Sequence, residues 1–294
     1  MPLCFMTRGR FAVGFSAAAV LVMTLSACSS GSPVATAPST AGAGLPSSHV
    51  HGLSVNSQTD QVLLATHEGL FDVTKPKSSA TQIGETNDLM GFTAAADQGV
   101  FYASGHPGPG SDMPNPMGLI RSVDGGKTWE QLSRQGESDF HALATAKSGI
   151  IAYDGTLQTS PDGKTWSPAT ADFVPAVLAG NPETDTVLAT TRDGLQRSTD
   201  GGKTWALNTE APIVQFVAFA SGTEIFGVEP DGAVHYSTDA GSTWTRTGSI
   251  KGQVQAITAV KKTEGKPAIW AATTEGLVVS TDGGNIFRTP PTAR

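Results

Sequence analysis

The sequence predicts an all-β fold, a six-bladed β-propeller of four-stranded antiparallel blades, over residues 48–290. Two observations predict it. The 294 residues include 34 Gly and 18 Pro, which is typical of strands and tight turns rather than helices, and the 38% apolar content is too high for disorder. From residue 48 onward a motif recurs at about the interval that four short strands and their turns occupy in one blade.

Residues 1–27 are predicted to be an export signal. Arg8 and Arg10 precede an apolar run, 11–25, that is too short to span a membrane comfortably, and small residues follow it. The net charge of the whole chain is −7, so the chain has no basic footprint for a phosphate backbone. Nucleic acid is therefore excluded as an expected partner.

A cysteine follows the signal directly. The run Leu25-Ser26-Ala27-Cys28 resembles the lipobox of bacterial lipoproteins. That resemblance implies that the Cys28 thiol is acylated and anchors the protein to the cell membrane on its extracytoplasmic side. An ordinary signal peptide with a chance cysteine is the alternative. The remaining cysteine, Cys4, lies in the signal, so no disulfide or thiolate metal site is expected in the mature domain.

The segment 28–47 is predicted to be a lipidated cysteine followed by a flexible linker. Residues 29–47 carry no charge and consist almost entirely of small residues and Pro. They cannot bury enough apolar surface to order themselves, so we expect a tether between lipid and folded domain.

The repeated motif reads S-x-D-x-G-x-T-W, and its starting serines are 38, 38, 39 and 43 residues apart. Asp and Ser can bond the backbone of a tight turn, Gly supplies a positive φ, and the aromatic is expected to pack between neighbouring sheets. The pattern resembles the Asp-box, or BNR repeat, of sialidase-type propellers, which implies that each copy closes the hairpin between the third and fourth strands. Three full and two degenerate copies occur, at Ser122–Trp129, Ser160–Trp166, Ser198–Trp205, Ser237–Trp244 and Ser280–Phe287.

A sixth repeat without the motif precedes these copies. Leu63–Phe71 matches Leu188–Leu195 and Trp270–Leu277, but Lys75 and Pro76 stand where the turn Asp is expected. The count is therefore six blades. They are predicted near 48–86, 87–137, 138–170, 171–210, 211–249 and 250–290.

Candidate site residues gather on the face opposite the Asp-boxes, around the channel, where propellers usually bind ligands. Five of the six histidines fall in blades 1 to 3 on elements assigned to that face. An insertion at 105–117 is expected to arch over the channel mouth. When the innermost strands of blades 1, 2 and 3 are aligned, His51, Met90 and His141 occupy equivalent positions. The candidate ligand-binding residues are His49, His51, His67, Asp88, His106, Asn115, Asp139 and His141.

Three interpretations of this cluster stay open. In the first, His51, His106 and His141, with Asp88 or Asp139, ligate a divalent metal, and Met113 and Met117 add a copper alternative. In the second, the cluster hydrogen-bonds a polyhydroxyl ligand or supplies an acid and a base. In the third, the polar residues satisfy each other around a wet channel.

A carboxylate residue followed by glycine recurs in five blades, in the hairpin between the second and third strands. This pattern predicts type I′ turns, so these carboxylates are assigned no catalytic role. They are Glu68, Asp154, Asp193, Asp231 and Glu275. Asp88 and Asp139 lie outside that pattern and are the catalytic candidates.

Sialidase activity is disfavoured. The resemblance implies three arginines around a carboxylate and a Tyr/Glu pair, but Arg192 alone is assigned to the channel face, and Tyr102, Tyr153 and Tyr236 have no evident Glu neighbour. Four further arginines flank Asp-boxes and belong to outer strands: Arg121, Arg197, Arg246 and Arg288. The sequence therefore predicts a membrane-anchored propeller that binds a polar ligand, glycan or protein at the channel face. A non-sialidase glycoside hydrolase is the alternative.

Overall fold

The computed structural model describes residues 45–46, 48–75 and 79–291. The predicted signal peptide at 1–27, the lipidation site Cys28 and all of the linker 28–47 except two residues lie outside the described residues. Every regular element of the described part is a β-strand. No helix there has the length and apolarity that crossing a membrane requires.

The strands form consecutive antiparallel sheets. Blade 1 contains β1 (Val50–Val55), β2 (Val62–Thr66), β3 (Gly69–Asp72) and β4 (Thr81–Ile83). Blade 2 contains β5 (Asp88–Ala94), β6 (Phe101–His106), β7 (Leu119–Ser122) and β8 (Glu130–Ser133). Blade 3 contains β9 (Ala142–Ala146), β10 (Gly149–Tyr153), β11 (Leu157–Ser160) and β12 (Ser167–Pro168).

The second half of the ring repeats the arrangement. Blade 4 contains β13 (Val177–Gly180), β14 (Val187–Thr191), β15 (Gly194–Ser198) and β16 (Ala206–Leu207). Blade 5 contains β17 (Phe216–Phe219), β18 (Ile225–Val228), β19 (Ala233–Ser237) and β20 (Thr245–Ser249). Blade 6 contains β21 (Val254–Val260), β22 (Ala268–Thr273) and β23 (Gly276–Ser280).

The fourth position of blade 6 is occupied by a single bridge. Arg288 pairs with Val279 through two backbone hydrogen bonds of 2.8 and 3.0 Å. With that bridge the six sheets form a ring, and the predicted all-β, six-bladed propeller is confirmed.

The ring closes by packing of side chains. Each innermost strand contacts the next, and β21 contacts β1. Because the strands of each blade are consecutive in sequence, the first and last blades meet through a shared apolar cluster rather than an exchanged strand. Val50 and Leu64 of blade 1 pack there with Trp270, Ala272 and Leu277 of blade 6.

The inner strands are buried on both sides. Every residue of β2, β14 and β22 is buried, as expected of strands packed between two neighbouring sheets. The innermost strands also approach closely. A Cβ atom on Gly91 would lie 2.1 Å from the carbonyl oxygen of Phe140 in the next blade, so only glycine fits there.

The Asp-box motifs form the hairpins between third and fourth strands, as the resemblance implies. Oδ1 of Asp124 accepts hydrogen bonds from the amides of Lys127 and Thr128, both at 3.0 Å. Its Oδ2 accepts the Thr128 hydroxyl at 2.6 Å, and the Ser122 hydroxyl donates to Oδ1 at 2.8 Å. The hydroxyl and amide of Thr128, with the Ser122 hydroxyl, lower the pKa of Asp124 to about 2.

The aromatic residue that ends each motif packs between neighbouring sheets, as predicted. Trp205 of blade 4 packs with Ile151 and Leu157 of blade 3, and Trp244 of blade 5 packs with Leu188 of blade 4. Trp205 is half-buried. The Asp-box hairpins therefore join one blade to the next.

The prediction of type I′ turns between second and third strands is wrong. Such turns need positive φ at both central residues. Gly69 has a φ of 119°, but Glu68 before it does not have a positive φ. In the other four turns the glycine likewise has a positive φ and the carboxylate residue before it does not. In blade 1 the Thr66 hydroxyl shapes the turn, because it accepts the Glu68 amide and donates to the Gly69 carbonyl, both at 3.0 Å. Thr191 and Thr273 make the same pair of bonds in blades 4 and 6.

Candidate functional site

The candidate site lies at one end of the central channel, on the face opposite the Asp-boxes. Starts of innermost strands and hairpins between second and third strands meet on this face. A cavity of about 300 Å³ runs between the innermost strands, and His51, Met90 and His141 line it. This agrees with the strand alignment, which places these three residues at equivalent positions.

A β-bulge explains why His51 and Met90 point into the channel. The pairing of β1 with β2 is irregular between Val50 and Gly52, and the pairing of β5 with β6 is irregular between Leu89 and Gly91. An extra residue in one strand is left unpaired and its side chain is redirected. The sequence analysis missed these bulges. The glycine that follows each bulged residue, in His51-Gly52 and Met90-Gly91, is the signal that could have indicated them.

His49, His51 and His67 form the first group of site residues, the histidine trio. The ring centroids are 4.9 Å apart for His49 and His51, 4.3 Å for His51 and His67, and 6.2 Å for His49 and His67. Nε2 of His51 lies 3.1 Å from Nε2 and 3.3 Å from Nδ1 of His67. One ligand nitrogen from each ring lies within 4.8 Å of the other two.

Asp88 orients the trio from the next blade. Nδ1 of His67 lies 3.0 Å from both carboxylate oxygens of Asp88. A carboxylate only accepts, so His67 carries its proton on Nδ1, and the lone pair of the neutral ring is on Nε2.

His51 is the half-buried member of the trio. Loss of solvation, with smaller contributions from the nearby His67 and His49, lowers its pKa from 6.5 to about 4, while Asp88 acts in the opposite direction. His141 also lowers the pKa of His51, by less than His67 does, so His51 and His141 interact electrostatically. The His51 ring is therefore neutral near pH 7.

Asp139 is the centre of the second group, the Asp139 cluster. Its Oδ2 lies 2.6 Å from Nε2 of His141 and 3.2 Å from Nε2 of His106. The other ring nitrogen of His106, Nδ1, lies 2.7 Å from Oδ1 of Asn115. Oδ1 of Asp139 is buried and has no hydrogen-bond partner among the described residues.

The structure therefore brings the predicted site residues together as two groups. The predicted metal set of His51, His106 and His141 is divided between them, because His106 and His141 share Asp139 while His51 lies with His49 and His67. Asp88 and Asp139, the catalytic candidates, each contact imidazole, in separate groups.

The insertion in blade 2 reaches the channel face through His106, which contacts Asp139, and through Asn115, which contacts His106. The amide of Gly108 donates to Oδ1 of Asn87 at 3.0 Å, and residues 107–118 are not among those that line the channel cavity. Met117 is fully buried in the apolar cluster between blades 1 and 2, and Met113 packs against that cluster. Met117 is therefore a core residue rather than a copper ligand.

One arginine on the channel face was missed by the sequence analysis. Arg134 follows β8 and lies 3.5 Å from the carboxylate of Asp154, and its Nε donates to the Ser138 hydroxyl at 3.0 Å. The Ser138 hydroxyl in turn donates to Asp154 at 2.6 Å. The signal was the polar run Arg134-Gln-Gly-Glu-Ser138 before the innermost strand of blade 3. With the exposed Arg192, this face carries two arginines in the described part of the chain, which does not match the three that sialidases need.

Comparison with known proteins agrees with this architecture. The model of the BNR/Asp-box repeat matches residues 196–207, which cover the end of β15, the Asp-box and β16 of blade 4. No curated protein sequence matches the chain.

Among solved structures, the GH74 xyloglucanase from Xanthomonas campestris is similar, with a TM-score of 0.57 and 15% identity over 83% of this chain and 38% of that one. The GH74 enzyme of Niastella koreensis has a TM-score of 0.55 and 17% identity over 82% of this chain and 37% of that one. An ancestral GH74 enzyme has a TM-score of 0.51 and 16% identity over 85% and 39%. The chain spans less than two fifths of each of these proteins, and the likeness shows the fold alone.

Proposed function

We propose that this six-bladed propeller of BNR/Asp-box repeats is a binding protein, anchored by lipid on the extracytoplasmic side of the cell membrane, that takes a polar ligand at its His/Asp face. The ligand is a glycan or a polar segment of a protein. The single observation that carries the proposal is the buried Oδ1 of Asp139, which has no hydrogen-bond partner within the described part of the chain.

The unpartnered oxygen supports binding for an energetic reason. A buried acceptor that makes no hydrogen bond costs about 1–3 kcal/mol. The Oδ2 atom of the same carboxylate is held by His106 and His141, so the group cannot rotate away freely. A hydroxyl or amide of a ligand that donates to Oδ1 recovers this energy, which makes the Asp139 cluster a natural recognition point.

The cell-surface part of the proposal rests on sequence. The apolar run 11–25, the Leu25–Cys28 lipobox-like sequence and the uncharged segment 29–47 together support an exported domain tethered by lipid at Cys28.

Glycoside hydrolysis is the less favoured function. A hydrolase of this type needs one carboxyl group that protonates the leaving oxygen and a second that acts on the sugar or on water. Asp88 already contacts His67 with both oxygens, and Asp139 contacts two imidazoles. These contacts favour fixed acceptors over a free acid and base.

The test is a ligand screen on full-length protein in detergent, with an array of glycans and a library of polar peptides. Ligands found for the wild type are measured again with Asp139→Asn and His141→Ala, and we expect each variant to bind at least about 10-fold more weakly, because a recognition hydrogen bond to a charged group contributes about 1.5–3 kcal/mol. His141→Ala should keep the thermal midpoint of the wild type, since His141 is exposed, and the midpoint of Asp139→Asn is measured so that affinity is compared per folded molecule.

The matched control is Asp200→Ala on the Asp-box face. It removes the acceptor of the Thr204 amide and hydroxyl and should lower stability while leaving affinity per folded molecule unchanged. A ligand that binds Asp139→Asn and His141→Ala as tightly as the wild type would place recognition elsewhere and contradict the proposal.

A further inference from the structure

We infer that His49, His51 and His67 form a site for one divalent transition-metal cation of the zinc or copper(II) class, and that Asp88 orients His67 for it. The inference rests on the proposed function and deepens it, because it names a cation as a ligand of the same face.

The spacing of the ligand atoms fits a coordination sphere. With metal–nitrogen distances of about 2.0–2.1 Å, adjacent ligand nitrogens of a tetrahedral site are about 3.3–3.4 Å apart. Nε2 of His51 lies 3.1 and 3.3 Å from the two ring nitrogens of His67, and a nitrogen of His49 lies within 4.8 Å of both rings. His49 is exposed, so rotation of its side chain brings the third nitrogen to the same centre.

A cation can use all three rings of the trio. The 3.1 Å contact between Nε2 of His51 and Nε2 of His67 is within the range of an N–H···N hydrogen bond between two neutral rings, so that contact by itself requires no cation. Such a bond joins two rings, whereas the trio places one nitrogen of each of three rings within 4.8 Å of the others. A metal ion accepts lone pairs from all three rings at once.

Asp88 supplies a carboxylate that holds the ring of a metal-binding histidine in place. Histidines that ligate metals commonly donate their second ring nitrogen to a carboxylate, which fixes the tautomer and raises the basicity of the ligand. Asp88 receives Nδ1 of His67 at 3.0 Å on both oxygens. The carboxylate comes from blade 2 and the trio from blade 1, so the orientation of His67 depends on the packing of the two blades.

The donor atoms select the class of cation. Calcium and magnesium prefer oxygen ligands, whereas imidazole suits zinc, copper and nickel, and affinity in a nitrogen site is highest for copper(II) along the divalent series. Met117, one of the two methionines considered as copper ligands, is buried in an apolar cluster and is not available as a soft ligand. Exposure of His49 and His67 leaves a fourth position open to water or to a polar group of a ligand.

The Asp139 cluster is less suited to the same role. Both ring nitrogens of His106 already face oxygen acceptors, Asn115 and Asp139, and Nε2 of His141 is held by Asp139 at 2.6 Å. Metal binding there would require these bonds to oxygen acceptors to break, whereas at the trio it replaces the contact between His51 and His67 and requires a rotation of the exposed His49.

The test is metal binding by the full-length protein, purified in detergent and stripped with a chelator. After dialysis against zinc or copper(II) salts we expect one equivalent per chain by elemental analysis, and nitrogen couplings in the electron paramagnetic resonance spectrum of the copper form. His51→Ala and His67→Gln should lose this equivalent. Asp88→Asn should keep the stoichiometry but bind about 10–100-fold more weakly in calorimetric titration, which is the effect expected of an orienting carboxylate.

The matched control is His235→Gln. His235 is the sixth histidine, lies on β19 of blade 5 and pairs with Glu229, outside both groups. It should retain one equivalent, and thermal unfolding should show that every variant is folded. His67→Gln lies in an exposed hairpin, so it tests the site even if the half-buried His51 position does not tolerate Ala.

The outcomes separate this inference from the proposed function. A full equivalent of zinc or copper retained by His67→Gln, or less than stoichiometric binding by the wild type, overturns the metal site. If the wild type binds no metal but still binds a glycan or peptide through Asp139, the metal inference fails alone. If one metal ion binds through the trio while Asp139→Asn leaves every ligand unaffected, the metal site stands and the proposed recognition at Asp139 fails.

Discussion

At the scale of single residues, the most repeated feature is the Asp-box carboxylate. Asp124, Asp200 and Asp239 each accept hydrogen bonds from the amide and the hydroxyl of a threonine four residues on. These bonds favour the charged form, so the pKa of each of the three carboxyl groups lies at about 2. For Asp200, partial burial acts in the opposite direction and is outweighed by Thr204 and Ser198.

Acid should therefore destabilise the propeller through these residues. The folded-state pKa of about 2 lies below the ordinary value of 3.8, so between these values the unfolded chain binds more protons. The contribution of the three groups is present above pH 3.8 and is lost as the pH falls through about 2. We expect the thermal midpoint to fall across this interval, and the fall to be shallower in a triple Asp→Asn variant at 124, 200 and 239.

The control for this pH series is Asp193→Asn, in an exposed hairpin outside the motifs. It should leave the slope of thermal midpoint against pH unchanged. A triple variant that loses stability as steeply as the wild type would show that the Asp-box carboxylates do not control acid stability.

At the scale of elements, each Asp-box hairpin carries an aromatic side chain into the neighbouring blade. The ring of Trp205 lies 5.3 Å from that of Phe173 in an edge-to-face arrangement, and its indole nitrogen donates to the carbonyl of Gly202 at 2.8 Å. Since Trp205 is only half-buried, removing it should have a smaller effect than removing a fully buried tryptophan.

We expect Trp205→Ala to lower the free energy of unfolding by about 2–3 kcal/mol, below the range of about 3–5 kcal/mol for fully buried aromatic residues. Urea denaturation monitored by circular dichroism measures the change. Leu207→Ala, at an exposed position of β16 in the same blade, is the control and should shift stability by no more than about 0.5 kcal/mol. Equal effects of the two substitutions would contradict an interblade role for Trp205.

At the scale of the whole molecule, the ring depends on the contact between its first and last blades. Leu64 on β2 is fully buried in the cluster that joins blade 1 to blade 6. Every blade interface resembles this one in having an apolar cluster, so opening the ring at one interface exposes apolar surface on two blades.

Leu64→Ala should therefore destabilise the propeller by about 3 kcal/mol, the effect of a cavity in a core that relaxes only partly. Unfolding should remain a single transition, with tryptophan fluorescence and circular dichroism coinciding. Val123→Ala, at a position 62% exposed, is the control and should change little. A variant in which one probe changes well before the other would show that blade 1 separates from the ring before the rest unfolds.

The sequence by itself determined the number of blades and the chemistry of the Asp-box hairpins. Both are local properties, because a Ser–Asp–Thr turn is closed by bonds that span at most four residues, and the repeat interval sets how many strands lie between two turns. It also identified the histidines and carboxylates that meet on the channel face, although not Arg134, since strand order in a propeller assigns each loop to one of two faces.

The tertiary structure decided how those residues are grouped. His67 lies 21 residues before Asp88 and 16 residues after His51 in the sequence. Its contacts with these two residues depend on the packing of blades 1 and 2 and on the bulge at His51. The path of the blade 2 insertion and the burial of Met117 were likewise settled by apolar packing against blade 1. A spacing of residues along the chain predicts which hairpin a side chain occupies, but the distance between two hairpins follows from how sheets pack, which no local pattern encodes.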